Sequence, residues 1–408
     1  MVSSPASAEP GAPPYASITA ARRWSMLAAG TAAQAASAAT VQAPAFLIPV
    51  LHDRLGLTLA EAGLVASAPM AGMMCTLVAW GLVVDRRGER FAMLTGLGVA
   101  ALAGTVGTQV GSVVAIALAL FVAGAAAGST NSASGRVVVG WFPPERRGLA
   151  MGIRQTAQPL GVGLAAATIA VLAHEHGIGT ALVVPTVACA LGLLVVALVV
   201  IDPPRPSEVG AREIANPYRS DDYLARVHVA SMLLVVPQFL VWTFGLTWLV
   251  DDLGWAAGVA GLVVAGSQLG GAAARIGSGW LSDLVASRMR PMRWVAMAAA
   301  GTMLLLGVAA GTERWVAPAV VLLVVASAVT VADNGLAYTA VAERAGPFWS
   351  GRALGLQNTG QHLVAAAVPP IAGLVIAQWG YATAFALAAL LPLVALPLVP
   401  VRGERAVS

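Results

Sequence analysis

The chain has 408 residues, of which 58% are hydrophobic and only 10% charged, with a mean hydropathy of +0.80. Soluble domains carry roughly 25% charged residues, so a water-soluble globule is excluded and an integral membrane protein is expected. The net charge of +4 implies no nucleic-acid partner, because the arginines are dispersed among loops and form no single basic face.

Residues 1–21 are rich in Pro, Ala and Ser and read as a disordered tail on the cytoplasmic side, with no apolar core of a signal peptide. A bilayer core of ~30 Å needs about 20 apolar residues per helix. Apolar runs place twelve spans near 24–50, 59–83, 91–110, 113–140, 148–172, 178–201, 224–250, 257–284, 294–310, 315–342, 351–376 and 381–400. The first six form one bundle over residues 22–201 and the last six another over 224–401. A polar, Pro-bearing cytoplasmic linker at 202–223 joins them, and 402–408 form a short second tail. Every basic residue is Arg. With the N-terminus inside, only Arg54 and Arg314 fall outside, Arg154 and Arg275 lie within spans, and the other nineteen face the cytoplasm. Both termini are therefore expected inside, in a multi-pass protein of the cell membrane. Cys75 and Cys189 lie in apolar segments and imply no redox or metal framework.

The two bundles repeat one pattern. Gly148, Gly152, Thr156 and Gln158 recur as Gly351, Gly355, Thr359 and Gln361, 203 positions later (351 minus 148), while Arg154 faces Gln357. Asn131 matches Asn334 at the same offset, and Gly81 and Asp85 match Gly279 and Asp283 at an offset of 198. Span 2 thus corresponds to span 8 and span 5 to span 11. This direction relates the halves by an axis along the membrane normal.

Gly81-Leu-Val-Val-Asp-Arg-Arg-Gly-Glu-Arg90, between spans 2 and 3, resembles the signature G-x-x-x-D-R-x-G-R/K-R/K of the major facilitator superfamily, departing at Glu89. Gly279-Trp-Leu-Ser-Asp283 resembles its decayed second copy. The resemblance covers about residues 22–402. It implies an all-α membrane protein of twelve helices in two six-helix bundles, working as a secondary transporter that rocks about a central site. It also implies a cytoplasmic gate at Gly81, Asp85, Arg86, Gly88, Arg90 and Asp283; the plainer reading of that loop is topogenic positive charge.

Ionisable groups inside spans are costly and point to function. Arg154 with Gln158 in span 5, and Gln357 with Gln361 beside Asn358 with His362 in span 11, form i, i+4 polar pairs. Together with Asn131, Asn334 and Arg275 these are the expected substrate-binding residues; Asp333 is the candidate proton-coupling group. Other readings stay open. Arg154 can snorkel to the interface, Arg275 and Asp333 can be a structural pair, and the asparagines can be interhelical hydrogen-bond glue. Arg275 is similar in placement to the span 8 arginine of superfamily members that carry nitrate or monocarboxylates. Span 2 lacks the second arginine of nitrate carriers, and Arg154-Gln-Thr-Ala-Gln-Pro-Leu-Gly161 resembles cyanate- and nitrate-transporter-like members. A guanidinium suits a carboxylate or oxyanion, so the expected cargo is a small anion, with a proton as coupling ion. The carrier is expected to act as a monomer without cofactor or metal. Gln158-Pro-Leu-Gly-Val-Gly163 partly resembles the span 5 signature of proton-driven drug exporters, which is the alternative. Gly161-Val-Gly-Leu-Ala-Ala166 lacks the preceding strand of a dinucleotide site, and no nucleophile–base constellation of an enzyme is visible.

Overall fold

A computed structural model describes residues 17–204 and 215–404. Residues 1–16, 205–214 and 405–408, which hold most of the expected N-terminal tail, the middle of the expected linker and the end of the second tail, lie outside the described residues. The described residues contain helices and no strand. Eleven helical stretches are long and apolar enough to cross a membrane: Ala20–Leu55, Glu61–Arg87, Glu89–Gln109, Val113–Trp141, Pro144–His176, Ile178–Val199, Tyr223–Asp252, Gly258–Leu284, Met289–Ala310, Val316–Ala345 and Ser350–Ala395. The last is 46 residues long and covers the two apolar runs read at 351–376 and 381–400. Gly380 breaks its helical geometry at φ 79°, ψ 170°, a backbone conformation that costs a residue with a Cβ. Gly88 (φ 100°) likewise separates the second and third stretches.

Helices before residue 200 pack chiefly on one another, as do those after 223. Span ends are set by local chemistry. Thr58 accepts from the Glu61 N–H and Glu61 returns a bond to the Thr58 N–H, a capping box that starts span 2. Close packing needs small residues: a Cβ on Gly124 would strike the Pro69 backbone of span 2. Gly266, by contrast, has nothing within 4 Å of where its Cβ would stand.

Spans 4, 5 and 10 are interrupted in mid-course. Span 4 breaks at Gly128, between Val113–Ala127 and Ser129–Trp141. Span 10 breaks between Val316–Val329 and Asn334–Ala345, at the repeat-equivalent place. Span 5 breaks at Gln155–Thr156, between Pro144–Arg154 and Ala157–His176. Its counterpart in span 11 runs on unbroken. The freed backbone of span 4 is re-used: the Ala125 carbonyl accepts from Thr76 Oγ1 and Trp80 Nε1, both at 2.7 Å.

The two groups of helices meet where the chain enters and leaves the spans. Span 2 packs against the helix that starts at Ser350, and the Gly258–Leu284 stretch packs against Pro144–Arg154. The approach is backbone to backbone. A Cβ on Gly81 would meet the Gly351 carbonyl, and one on Gly148 would meet the Gly279 carbonyl.

Candidate functional site

At this meeting end, two carboxylates bind helix backbone of the opposite half. Asp85 accepts from the Gly351 N–H at 2.8 Å, the Arg352 N–H at 3.0 Å and Arg352 Nε at 2.8 Å. Those N–H groups lie in the first turn of the helix that starts at Ser350, so Asp85 satisfies orphan donors and faces the positive end of the helix dipole. Asp283 accepts from the Gly148 N–H at 2.9 Å and the Leu149 N–H at 2.8 Å, one turn inside the helix Pro144–Arg154. Buried arginines brace both. Arg136 stands 3.5 Å from Asp85 and 2.6 Å from Glu89. Arg288 Nη1 bonds Asp283 at 2.5 Å, while its Nη2 reaches Glu343 at 3.2 Å and the Pro144 carbonyl at 2.6 Å. Burial disfavours the Arg288 cation, but Glu343 and Asp283 beside it outweigh that and raise its pKa above the usual arginine value.

Of the signature loop, only Gly81 and Asp85 make this cross-half contact. Arg86 is exposed. Arg90 bonds the Ala197 carbonyl from its side chain and Asp202 from its backbone N–H, both at 2.7 Å and both within its own half. Gly88 lies against Asp202, which a Cβ there would strike. The helix turns at Gly88, so Arg90 follows the next span away from Asp85. The arginines that brace the carboxylates, Arg136 and Arg288, were not singled out. Their positions in the two halves do not correspond, so the repeat carries no signal for them.

Further along the spans lies a cleft enclosing about 840 Å³ of space, its mouth included. Asn131, Arg154, Gln158, Arg275, Asn334, Asn358, Gln361 and His362 all line it, so eight of the nine expected binding residues converge. The ninth, Gln357, does not. It is wholly buried with Oε1 on His228 Nδ1, and His228 Nε2 in turn bonds the Tyr218 hydroxyl at 2.8 Å. Equivalence to Arg154 in the repeat does not fix direction, because the span 5 helix breaks beside Arg154 and span 11 does not. Asp333 is also buried and off the cleft wall, with Oδ2 unpartnered.

The cleft is pseudo-symmetric in its amides. Gln34 donates to Asn131 at 2.9 Å, and Asn334 donates to Gln238 at 3.1 Å. Gln34 and Gln238 stand 204 positions apart (238 minus 34), so this pair continues the repeat, though it was not recognised from the sequence. Gln361 joins the second pair, donating to Ser231 at 2.7 Å and Asn334 at 3.3 Å.

The arginines break the symmetry. Arg154, 2% exposed, does not snorkel. Its Nε donates to Ser134 at 2.9 Å, Nη2 to the Asn131 carbonyl at 2.5 Å and Nη1 to Gln155, and the guanidinium lies over the Tyr338 ring. Arg275, also 2% exposed, stands 5.8 Å from the Trp242 ring centroid, and its Nη1 is buried without a partner. Among the described residues, neither has a carboxylate within 4.0 Å, whereas the equally buried Arg136 and Arg288 each have two. The cleft is thus a positively charged chamber with amide donors and acceptors, apolar patches from Met70, Met73 and Phe239, and an unspent guanidinium edge.

Comparison with known proteins identifies the lineage. The family described as Major Facilitator Superfamily matches residues 30–369 and 227–406. An uncharacterised MFS-type transporter of Mycobacterium tuberculosis is 47% identical over 382 residues, spanning 93% of this chain and 85% of that protein. A probable sulfoacetate transporter of Cupriavidus necator is 27% identical over 363 residues, covering 81% and 82% of the two chains. Among solved structures, the MFS transporter FucP in its outward conformation superposes with a TM-score of 0.76 at 17% identity, covering 93% of this chain and 99% of that one. The proton:xylose symporter XylE gives 0.75 at 14%, covering 93% and 95%. The chain belongs to the Major Facilitator Superfamily and is a multi-pass membrane transporter; no enzyme family is indicated.

Proposed function

We propose that this superfamily member moves a small anionic solute across the cytoplasmic membrane by alternating access, coupled to protons. The observation that carries the reading is the distribution of buried arginine. Two buried guanidiniums at the meeting end are in ion-pair contact with carboxylates, while among the described residues the two that line the cleft have none within 4.0 Å, Asp333 acting on Arg275 from further away. Burying cations without an ion-pair partner is costly, and an anionic ligand offsets that cost. The name of the Cupriavidus relative, a probable sulfoacetate transporter, fits a carboxylate- or sulfonate-bearing cargo, as does the likeness to nitrate, cyanate and monocarboxylate carriers.

In this reading the break at Gly380 makes the count twelve spans in two parallel repeats, with both termini cytoplasmic and the carrier active as a monomer. The signature glycine and the two cross-half aspartates form the cytoplasmic gate. Asp333, buried close behind Arg275, takes up the coupling proton. The test is uptake of radiolabelled acetate, sulfoacetate and nitrate into proteoliposomes under an imposed pH gradient. At least one is expected to accumulate in the wild type, not in Arg275→Gln, and without gradient dependence in Asp333→Asn. If none moves and lipophilic amines are extruded instead, the anion assignment is wrong and the exporter reading replaces it.

A further inference from the structure

Two unspent donors share one wall of the cleft. Trp242 and Arg275 both line it, and their side chains are in contact, the guanidinium carbon 5.8 Å from the indole ring centroid. Trp242 Nε1 and Arg275 Nη1 are each buried without a hydrogen-bond partner. Buried donors in native proteins nearly always find an acceptor, and an orphan calls for an explanation. Two adjoining orphans on a cleft wall have a common one: an acceptor that arrives with the ligand. The buried Asp333 acts on Arg275 through its charge, but it leaves Arg275 Nη1 unpartnered and its own Oδ2 unpartnered too. In the smaller hollow behind Trp242, the Ser267 and Ser327 hydroxyls are turned to the Val264 and Leu323 carbonyls of their own helices at 2.7 and 3.0 Å.

Arg154 is held differently. All three guanidinium nitrogens of Arg154 already donate to Ser134, Gln155 and Asn131. Arg154 therefore supplies fixed positive charge, while the directional bonds to a ligand are left to Arg275 and its neighbour.

We infer that the Trp242 indole N–H and Arg275 Nη1 together seat the oxyanionic head group of the substrate, a carboxylate or sulfonate. This rests on the anion reading above. A head group with two or more oxygens, each accepting at ~2.9 Å, can serve two neighbouring donors at once; a spherical anion gives no such pair of directed acceptors. Phe239, tilted against Trp242 with ring centroids 5.5 Å apart, and Val235 then face the short carbon skeleton. Trp242 is a binding and selectivity residue, with an apolar body that packs and one polar edge that reads the head group.

The test measures binding to the purified full-length carrier by thermal shift and calorimetry, with acetate, methanesulfonate, sulfoacetate and chloride as probes. The wild type is expected to bind at least one of the three oxyanions more tightly than chloride, and Arg275→Gln to lose that binding. Trp242→Phe, which keeps the ring and removes the N–H, is expected to weaken it about tenfold or more and to shrink the preference over chloride, with the ligand-free melting temperature unchanged. Acetate and methanesulfonate separate the carboxylate from the sulfonate form. If no oxyanion binds the wild type, the anion reading itself falls. If binding needs Arg275 but Trp242→Phe binds as tightly as the wild type, only the Trp242 assignment is overturned. A second measurement does not depend on that variant folding. In wild-type carrier with ¹⁵N-labelled indoles, one indole N–H resonance is expected to move downfield on adding the bound oxyanion, and its absence overturns the assignment.

Discussion

Asp85→Asn is the sharpest perturbation of the meeting end. Asp85 accepts three bonds from the opposite half, from the Gly351 and Arg352 N–H groups and from Arg352 Nε, all at 2.8–3.0 Å. Its carboxylate is 2% exposed and the Arg352 side chain 28%, so screening by water is modest. Oδ2 accepts both Arg352 bonds and Oδ1 the Gly351 bond. Asparagine keeps one acceptor oxygen and turns an NH₂ towards the remaining donor, so at least one bond is lost and those kept lose their charge. Hydrogen bonds to charged groups contribute about 1.5–3 kcal/mol each. The closed arrangement should therefore lose roughly 1.5–3 kcal/mol relative to any state in which the halves have parted here. That changes the ratio of the two populations by about 10- to 100-fold. The assay is a distance distribution between spin labels at the exposed positions Arg86 and Arg290, after replacing Cys75 and Cys189 with alanine. In the variant a long-distance population should appear or grow, membrane insertion should be unchanged, and transport should fall. A distribution identical to that of Asp85 carrier would refute the reasoning, since it would mean that these bonds do not hold the halves together.

Two further outcomes are expected. Gly148→Ala and Gly351→Ala should shift the same distribution in the same direction, because each Cβ meets backbone of the other half, whereas Gly266→Ala, with open space around it, should be silent; a silent Gly351→Ala contradicts the contact. Arg154→Lys should lower the melting temperature of the ligand-free carrier more than Arg275→Lys does. Lysine cannot serve Ser134, Gln155 and Asn131 together, so at ~1–3 kcal/mol per stranded group the first substitution costs more, while Arg275 has its Nη1 unspent; equal losses would sink the distinction.

Much of the fold was legible because bilayer length and apolar composition leave few ways to read a run such as Val113–Trp141. The repeat also located the cross-half aspartates, since Gly81–Asp85 and Gly279–Asp283 are local patterns that survive at a fixed offset. What stayed hidden depends on partners distant in sequence. The direction of Arg154 is decided by Ser134 and Asn131 on another span, and that of Gln357 by His228, 129 positions away. Arg136 and Arg288 looked like ordinary positive-inside charge, because burial next to a carboxylate leaves no mark on the adjacent residues. The breaks at Gly128, at Gln155–Thr156 and after Val329 were not foreseen either. In an apolar run, the helix and its interruption have nearly the same composition.

The crossed placement of Asp85 and Asp283 has a consequence for how the halves separate. Each carboxylate sits on one half and holds helix backbone of the other, so the two clasps point in opposite directions across the same seam. Releasing one alone would strand a carboxylate and two N–H groups in a contact still shut by its twin. A half-released seam is thus higher in energy than either end state, and the seam parts as a unit. Cooperativity of this kind needs no signal carried through the protein, only two reciprocal bonds that cannot be broken in turn.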